Sequence, residues 1–576
     1  MEKQLAVAKI LEEIGTLLEL KGENPFKSRA YFSAARTVEM LGEEELERLI
    51  NEDKLQGVKG IGSALDDKLK ELVLTGNLSY YEELKASVPD GLLEILKIPG
   101  LGPRKVKALY DTLSITTLAE LEYACRENRL INLKGFGLKT QENILEGIEF
   151  LRRNQGRYYV GEARRIGENF IAHLREFPTL GEVSLAGSVR RFREIVKDID
   201  IVASADEPDR LTRFVAHLPV VDEIIALGDT KVTVRLKDGI NVDLRAVKRE
   251  QFPCALHHFT GSKEHNTALR SRARKMGLKI NEYGLFRDGE LIVCRDEKEF
   301  FAALGLDWIP PELRENNGEI EAAELHVLPE LIEKKDIRGI FHVHSIYSDG
   351  TANLEDIVRH CLDAGYEYVG ITDHSQSAFY AGGLKEEDLK KQAEEIDVLR
   401  GKYNGIAILR GIESDIRVDG SLDYPDEVLE KLDFVIASVH SGLFMERTKM
   451  TTRILKALAH PFVTMLGHPT NRLLLGREGS HLDLEQVFKA ARDYEVILEL
   501  NANPARLDLD WRHLKKIKKM GVPVSINPDV HRLADFDHTG LGISLARKGW
   551  LEKENVFNTR SRAEIESYLH NRRLSH

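Results

Sequence analysis

Cysteine is scarce in this chain: Cys125, Cys254, Cys294 and Cys361 are the four among 576 residues, widely spaced and in no paired pattern. That excludes a disulfide-stapled scaffold and a thiolate metal site, and it suits a reducing cytoplasm. Long hydrophobic runs are missing as well. No stretch of about 18 apolar residues exists, and the opening Met1-Glu2-Lys3-Gln4 has no signal-peptide core, so a cytoplasmic protein with no membrane partner is expected. Nor is there a basic excess. With 82 Lys and Arg against 94 Asp and Glu, the formal charge is −12. Any polyanion must therefore be held by local patches, such as 190–193 and 263–279, and not by the global field. The length excludes a single core, and three to five domains are expected.

What is present begins with helices, expected over Lys3–Leu20, Lys27–Met40, Glu43–Asn51 and Ser63–Leu74. A repeat follows, apolar-x-Gly-apolar-Gly, at Gly60 and Gly62, at Gly100 and Gly102, and at Gly135 and Gly137. Each copy precedes a basic, helix-compatible run. Three copies about 35–40 residues apart resemble helix-hairpin-helix motifs, and that resemblance implies glycine turns that aim backbone N–H groups at DNA phosphates without sequence preference.

Next comes a short apolar strand, 183–186, a Gly187-Ser188 turn, the cluster Arg190, Arg191 and Arg193, and then Asp198-Ile199-Asp200-Ile201. Residues two apart on a strand share a face, so both carboxylates point one way while the isoleucines pack behind. Paired carboxylates repel unless a cation neutralises them. Mg²⁺ and a nucleoside triphosphate are the natural partners, with Asp243 in a later strand-like run as the third acid. The segment 254–284 holds His258-Phe259-Thr260-Gly261-Ser262-Lys263, then Asn266, Arg270 and Ile280-Asn281-Glu282-Tyr283.

Pro310-Pro311 and the acidic run 312–324 mark a linker. Beyond it, seven strand-like runs alternate with helical patterns, at 337–343, 368–372, 407–412, 434–439, 464–467, 496–500 and 522–526. Fourteen of the 19 histidines lie in this part. The strand ends carry His342 and His344, Asp373 and His374, Glu413, His440, His468, Glu499 and Asn501, then Asp529 and His531, with Asp349 after the first strand. A (βα)n barrel gathers such ends on one face, and imidazole plus carboxylate without thiolate suits Mn²⁺, Zn²⁺ or Fe²⁺ in a hydrolytic site.

Gly-Ser, Asp-x-Asp and the later Asp243 resemble the nucleotidyltransferase fold of family X DNA polymerases, and 254–284 resembles that family's nucleotide-selecting segment. His342-Val-His-Ser-x-Tyr-Ser-Asp349-Gly, with the later histidines and acids, resembles the PHP (polymerase and histidinol phosphatase) domain. Together these resemblances cover nearly the whole chain. They imply a multidomain α+β and α/β protein: a helical lyase-like domain (1–80), helix-hairpin-helix fingers (81–155), a nucleotidyltransferase palm (156–250), a thumb (251–315), a linker (316–334) and a (βα)7-like PHP barrel (335–576).

By the same resemblance Asp198, Asp200 and Asp243 hold Mg²⁺ or Mn²⁺ for transfer of a dNTP to a primer 3′ end. Gly187, Ser188, Arg191, Ser262 and Lys263 face the triphosphate, Phe259 and Gly261 the sugar, Asn266 the base edge and Arg270 the template. His258 stands where the family has a tyrosine. In the first repeat Lys68 matches the Schiff-base lysine of the polymerase-beta lyase domain, while Ala64 replaces a phosphate-binding lysine.

For the barrel the resemblance implies three ions of Mn²⁺ or Zn²⁺. His342, His344, Glu413 and Asp529 take the first. Glu413 with His440 and His468 takes the second, and Asp349, His374 and His531 the third. Arg472 and Lys449 are candidates for the substrate phosphate. The expected function is gap-filling DNA repair by a monomer on gapped or primer-template DNA, with 3′→5′ exonuclease or abasic-site hydrolysis in the barrel. The alternative is a nucleotidyltransferase on another substrate fused to a metabolite phosphatase.

Overall fold

The computed structural model describes residues 3–574 apart from 59, 127–129, 131–132, 134, 155, 379–380 and 476–477. Lys59 and Lys134, the second residues of the first and third glycine repeats, lie outside the described residues. The chain divides into two compact units, 1–155 with 475–477, and 156–474 with 478–576.

The first unit is helical. The expected helices lie at Lys3–Lys21, Pro25–Met40, Glu43–Asn51 and Ser63–Thr75, followed by Ser79–Ala86, Asp90–Ile95, Pro103–Leu113, Leu118–Arg126 and Leu138–Asn154. One hydrophobic cluster runs from Val7 to Ile148, so the segments 1–80 and 81–155 share a core. The three glycine turns have the same build. The first glycine of each has positive φ (Gly60 99°, Gly100 83°, Gly135 88°), a conformation that a side chain disfavours. The apolar residue between the glycines donates its N–H three residues back: Ile61 to Val58, Leu101 to Ile98, Phe136 to Leu133. A helix starts at once after Gly62, Gly102 and Gly137.

In the second unit a five-stranded sheet has the order Leu180–Leu185, Asp198–Ala205, Asn241–Val247, Lys231–Leu236, Val221–Leu227. The alternation at 198–201 does what its period requires. Ile199 and Ile201 are fully buried beneath the helix Val160–Leu174, whereas Asp198 and Asp200 lie on the opposite face. The helices Phe252–Thr260 and Lys263–Lys275 and a small antiparallel sheet over 278–292 follow.

The segment 316–334 is packed more closely than a polar linker would be. It contains the helix Glu319–Glu324, with Ile320 and Ala323 in the core of the 254–313 region. The Glu319 carboxylate explains this. It accepts from the Asn316 and Asn317 backbone N–H groups (2.8 and 2.6 Å) and meets buried His265 Nδ1 at 2.6 Å.

The last region is a barrel of seven parallel strands in sequence order: Gly339–Val343, Tyr368–Ile371, Ala407–Asp415, Phe434–Ser438, Met465–Leu466, Ile497–Asn501 and Val524–Asn527. Each overlaps one of the seven apolar runs, because strands buried on both faces have little place for polar residues. The ring closes between its ends. Val530 N donates to His342 O (3.0 Å) and His344 N to Val530 O (2.8 Å). At the other end of the barrel the buried Asn558 side chain bridges Gly339 O and Ile526 (3.1, 3.0 and 2.7 Å). The whole is a mixed α/β protein: a helical unit with three like glycine turns, a five-stranded sheet followed by two helices and a small antiparallel sheet, and a nearly closed barrel.

Candidate active sites

Strand pairing sets the first site. Asp200 and Asp243 are Cα partners on adjacent parallel strands, with Asp198 two residues along. Burial, then Asp198 and Asp243, push the Asp200 carboxyl up to about 7. Gly187 (φ 55°) lies so close that a Cβ there would collide with the Asp200 carboxylate, so glycine is required. Asp243 accepts from Thr233 Oγ1 (2.6 Å), and its other oxygen meets Lys231 Nζ at 2.7 Å. Nothing in the pattern of the chain singled out Lys231; it enters this site because it lies one strand over.

Ser188 is half-buried in the short helix Gly187–Arg190. The basic cluster departs from expectation. Arg190 forms a two-pronged pair with Glu297 (3.0 and 2.8 Å), which buried Arg314 also binds. Arg191 does not project freely toward a triphosphate, because its Nε meets Glu315 (3.1 Å) and Nη1 donates to Thr260 O (2.6 Å).

Phe259 reaches the palm: Arg245, two residues from Asp243, lies 5.0 Å from its ring centroid. His258 packs edge-on against Phe259, with burial lowering its pKa. Two residues expected to contact ligand also serve the local fold. Ser262 caps the helix Lys263–Lys275 by accepting from His265 N. The Asn266 amide donates inward to His258 O (2.7 Å) and Gly261 O (3.2 Å). A tight turn before a helix satisfies its own polar groups in this way. Lys263 and Arg270 are exposed.

The second site is the C-terminal mouth of the barrel. Four overlapping groups have ligand atoms all within 4.8 Å: His342, His344 and Asp529; His342, Glu413 and His468; His374, Glu413 and His440; and His344, Asp349, His374 and His531. All nine expected ligands converge, with Glu413 in the middle. The groups differ from the expected partition: Glu413 and His468 group with His342, Glu413 and His440 with His374, and His344 also joins Asp349, His374 and His531. Three ligands hold positive φ (His342 62°, His468 24°, Asp529 57°), strain of a kind that clusters at functional sites. Buried His342 Nε2 and both ring nitrogens of His344 make no hydrogen bond, which is the state of donors aimed at cations. The residues fit Mn²⁺ or Zn²⁺. Although burial opposes it, Glu413 and Asp415 raise His440 to about 10, and Asp349 and Asp529 raise His531 to about 9.

Behind the ligands stand carboxylates that orient them. Glu499 meets His342 Nδ1 (2.5 Å) and accepts from His468 N (2.5 Å) and Asn527 (2.8 Å). Asp415 meets His440 Nδ1 (2.7 Å) and accepts from Ser377 (2.8 Å). Asp373 holds the first loop through Ser345 and Ser348 and is not a ligand in any group. Asp415 was invisible in the strand-end pattern because it lies two residues beyond a ligand on the same strand.

Arg472 is a correction. Its guanidinium ties Arg506 O, Leu507 O and Asp510 together and so braces a loop. The arginine at the metal-binding mouth is Arg506, with Nε 4.0 Å from Asp529 Oδ2 and a buried Nη1 that makes no hydrogen bond. Lys449 is exposed on the first turn of the helix Arg447–Leu458.

In the first unit, Lys68 Nζ lies 4.1 Å from the Tyr80 ring centroid and donates to the Tyr31 hydroxyl (2.9 Å). Partial burial and Lys27 lower its pKa. Among the described residues, added Cβ atoms at Gly62, Gly100, Gly102, Gly135 and Gly137 would meet nothing within 4 Å.

Family models match in chain order: a helix-hairpin-helix domain over residues 2–78, a SAM-like helix-hairpin-helix tandem over 92–149, a DNA polymerase beta thumb over 255–315 and a PHP domain over 341–503. The chain is 41% identical to the DNA polymerase/3'-5' exonuclease PolX of Bacillus subtilis over 98% of both chains. A probable phosphatase of Thermoanaerobacter sp. is 28% identical over 40% of this chain and 92% of its own. One of Aeromonas hydrophila is 30% identical over 25% and 61%. A match over nearly the whole of both chains, with helix-hairpin-helix, thumb and PHP models in chain order, shows that the chain belongs to the family X DNA polymerases that carry a PHP domain.

Proposed function

We propose that this chain fills gaps in DNA by adding dNTPs to a primer 3′ end and trims 3′ ends through its barrel, working as a cytoplasmic monomer. The observation that carries this reading is the coexistence, in one compact unit, of the Asp198–Asp200–Asp243 face beside Gly187 and the nine-residue mouth of the barrel.

Asp198, Asp200 and Asp243 would hold Mg²⁺ or Mn²⁺, and the imidazoles and carboxylates around Glu413 up to three ions of Mn²⁺ or Zn²⁺. When bound, these ions would activate the attacking hydroxyl or water and offset phosphate charge. The chain supplies the rest. The Ser188 hydroxyl and the N–H groups of its turn face the triphosphate. Arg191 reaches it by exchanging Glu315 for phosphate oxygens. Phe259 and Gly261 bound the sugar against the palm, and the glycine turns grip phosphates on either side of a gap. At the barrel, Glu499 and Asp415 fix the imidazole tautomers, and Arg506 offers its guanidinium to the scissile phosphodiester. The second activity supported by this geometry is hydrolysis at an abasic or blocked 3′ end, which needs the same phosphodiester chemistry.

One gapped substrate with a labelled primer tests the reading. Mg²⁺ with dNTPs should lengthen the primer to the gap end, and Mn²⁺ without dNTPs should shorten it from the 3′ end. A chain that does neither with Mg²⁺, Mn²⁺ or Zn²⁺ refutes it.

A further inference from the structure

The barrel contributes a buried cation to the polymerase half. Lys548, the last residue of the helix Thr539–Lys548, is fully buried. Its Nζ donates to Arg191 O (2.8 Å), Glu312 O (3.2 Å) and Glu315 Oε1 (2.7 Å), and lies 4.6 Å from the Trp511 ring centroid. An ammonium has three protons, and here all three have acceptors. Burying such a charge is costly unless it is paired and hydrogen-bonded, as it is here.

What it contacts is specific. Glu315 Oε1 is the same oxygen that meets Arg191 Nε, and Arg193 lies 3.9 Å from the other oxygen. Arg191 is thus bound twice through Lys548: its carbonyl directly, its guanidinium through a shared carboxylate. The turn is anchored to the barrel once more one step on, where Glu194 faces Arg472 (3.5 Å) and Arg512 (3.7 Å).

We propose that Lys548, a residue of the nuclease domain, is a positioning residue of the polymerase reaction. It fixes the main chain of the nucleotide-binding turn and neutralises Glu315, so that Arg191 can leave that carboxylate for the triphosphate. Without Lys548, Glu315 is a buried anion whose nearest cation is Arg191, and it retains that arginine more tightly. The inference rests on the reading of Arg191 as a triphosphate contact.

Steady-state incorporation on gapped DNA tests it, with exonuclease activity on single-stranded DNA as the control in the same full-length chain. Lys548→Met should raise KM for dNTP about tenfold with kcat changed less than about threefold, the mark of a lost ground-state contact. Exonuclease activity should stay at the wild-type level. Lys548→Met with Glu315→Gln should recover most of the KM, because the retaining charge is gone. KM unchanged in a folded, exonuclease-active Lys548→Met chain overturns the proposal, and so does a double variant as impaired as the single one. If Lys548→Met does not fold, Glu315→Gln decides. KM should fall as Arg191 is released, and a KM at or above wild type overturns the proposal. Arg191→Gln separates the two ideas: if it leaves KM for dNTP unchanged, the reading of Arg191 fails, whereas a raised KM there with none in Lys548→Met fails Lys548 alone.

Discussion

Asp200 and Asp243 are Cα partners on neighbouring parallel strands, and burial, then Asp198 and Asp243, raise the Asp200 carboxyl to about 7. The folded chain without metal therefore binds a proton that the unfolded chain releases near its ordinary value of 3.8. Stability from this group is fully present below that value and is lost as pH rises through 7. In chelator, Asp200→Asn should raise the stability of the second unit at pH 8 by about 2–4 kcal/mol, and by much less at pH 4. Denaturant titrations at both pH values measure this. An equal effect at both means that the Asp200 carboxyl is not raised in the folded chain.

Glu499 holds two ligands, His342 through its ring and His468 through its backbone N–H. Glu499→Gln should weaken metal activation of the exonuclease by about 10–100-fold while leaving incorporation intact. Titrating Mn²⁺ against exonuclease rate gives the midpoint, and an unmoved midpoint rejects the orienting role.

The two arginines of the 472–506 region should separate. Arg506→Ala should lower exonuclease kcat by about 10²-fold without moving the metal midpoint, as expected for a lost phosphate contact. Arg472→Ala should instead cost about 1–3 kcal/mol of stability, since it leaves the carbonyls of Arg506 and Leu507 without its guanidinium. Thermal melts and single-turnover rates on both variants decide between this assignment and its reverse.

Much of this architecture was legible because it rests on local periodicity. Alternation at 198–201 put both acids on one face, and seven apolar runs became seven strands because parallel strands are buried on both sides. The strand-end rule gathered eleven candidates and Asp349 at one mouth, and the resemblance to the PHP domain singled out nine of these twelve as expected ligands. Contacts between distant segments were not legible. Glu315, Lys548 and Arg506 matter through partners that share no sequence period with them. The cap and turn that Ser262 and Asn266 satisfy were not legible either, because they depend on how the helix after them begins. The run 316–334 looked like a tether, and the single carboxylate of Glu319 turned it into part of the thumb core.

Lys68 stands against two tyrosines with its pKa lowered by partial burial and by Lys27, the state of a lysine able to act as a nucleophile. Borohydride should trap a covalent adduct on an abasic-site DNA, and Lys68→Ala should abolish it. An adduct that survives in the variant shifts the chemistry to another amine, and no adduct at all leaves Lys68 a packing residue.

The central claim is that one chain carries two independent phosphoryl-transfer sites, built on Asp200 and on His344. Both single variants, Asp200→Ala and His344→Ala, should be assayed for extension and 3′ degradation on the same gapped DNA. The account predicts that Asp200→Ala loses incorporation by at least about 10³-fold and keeps the exonuclease, and that His344→Ala does the reverse. Loss of both activities in either variant, with the fold intact, would contradict it.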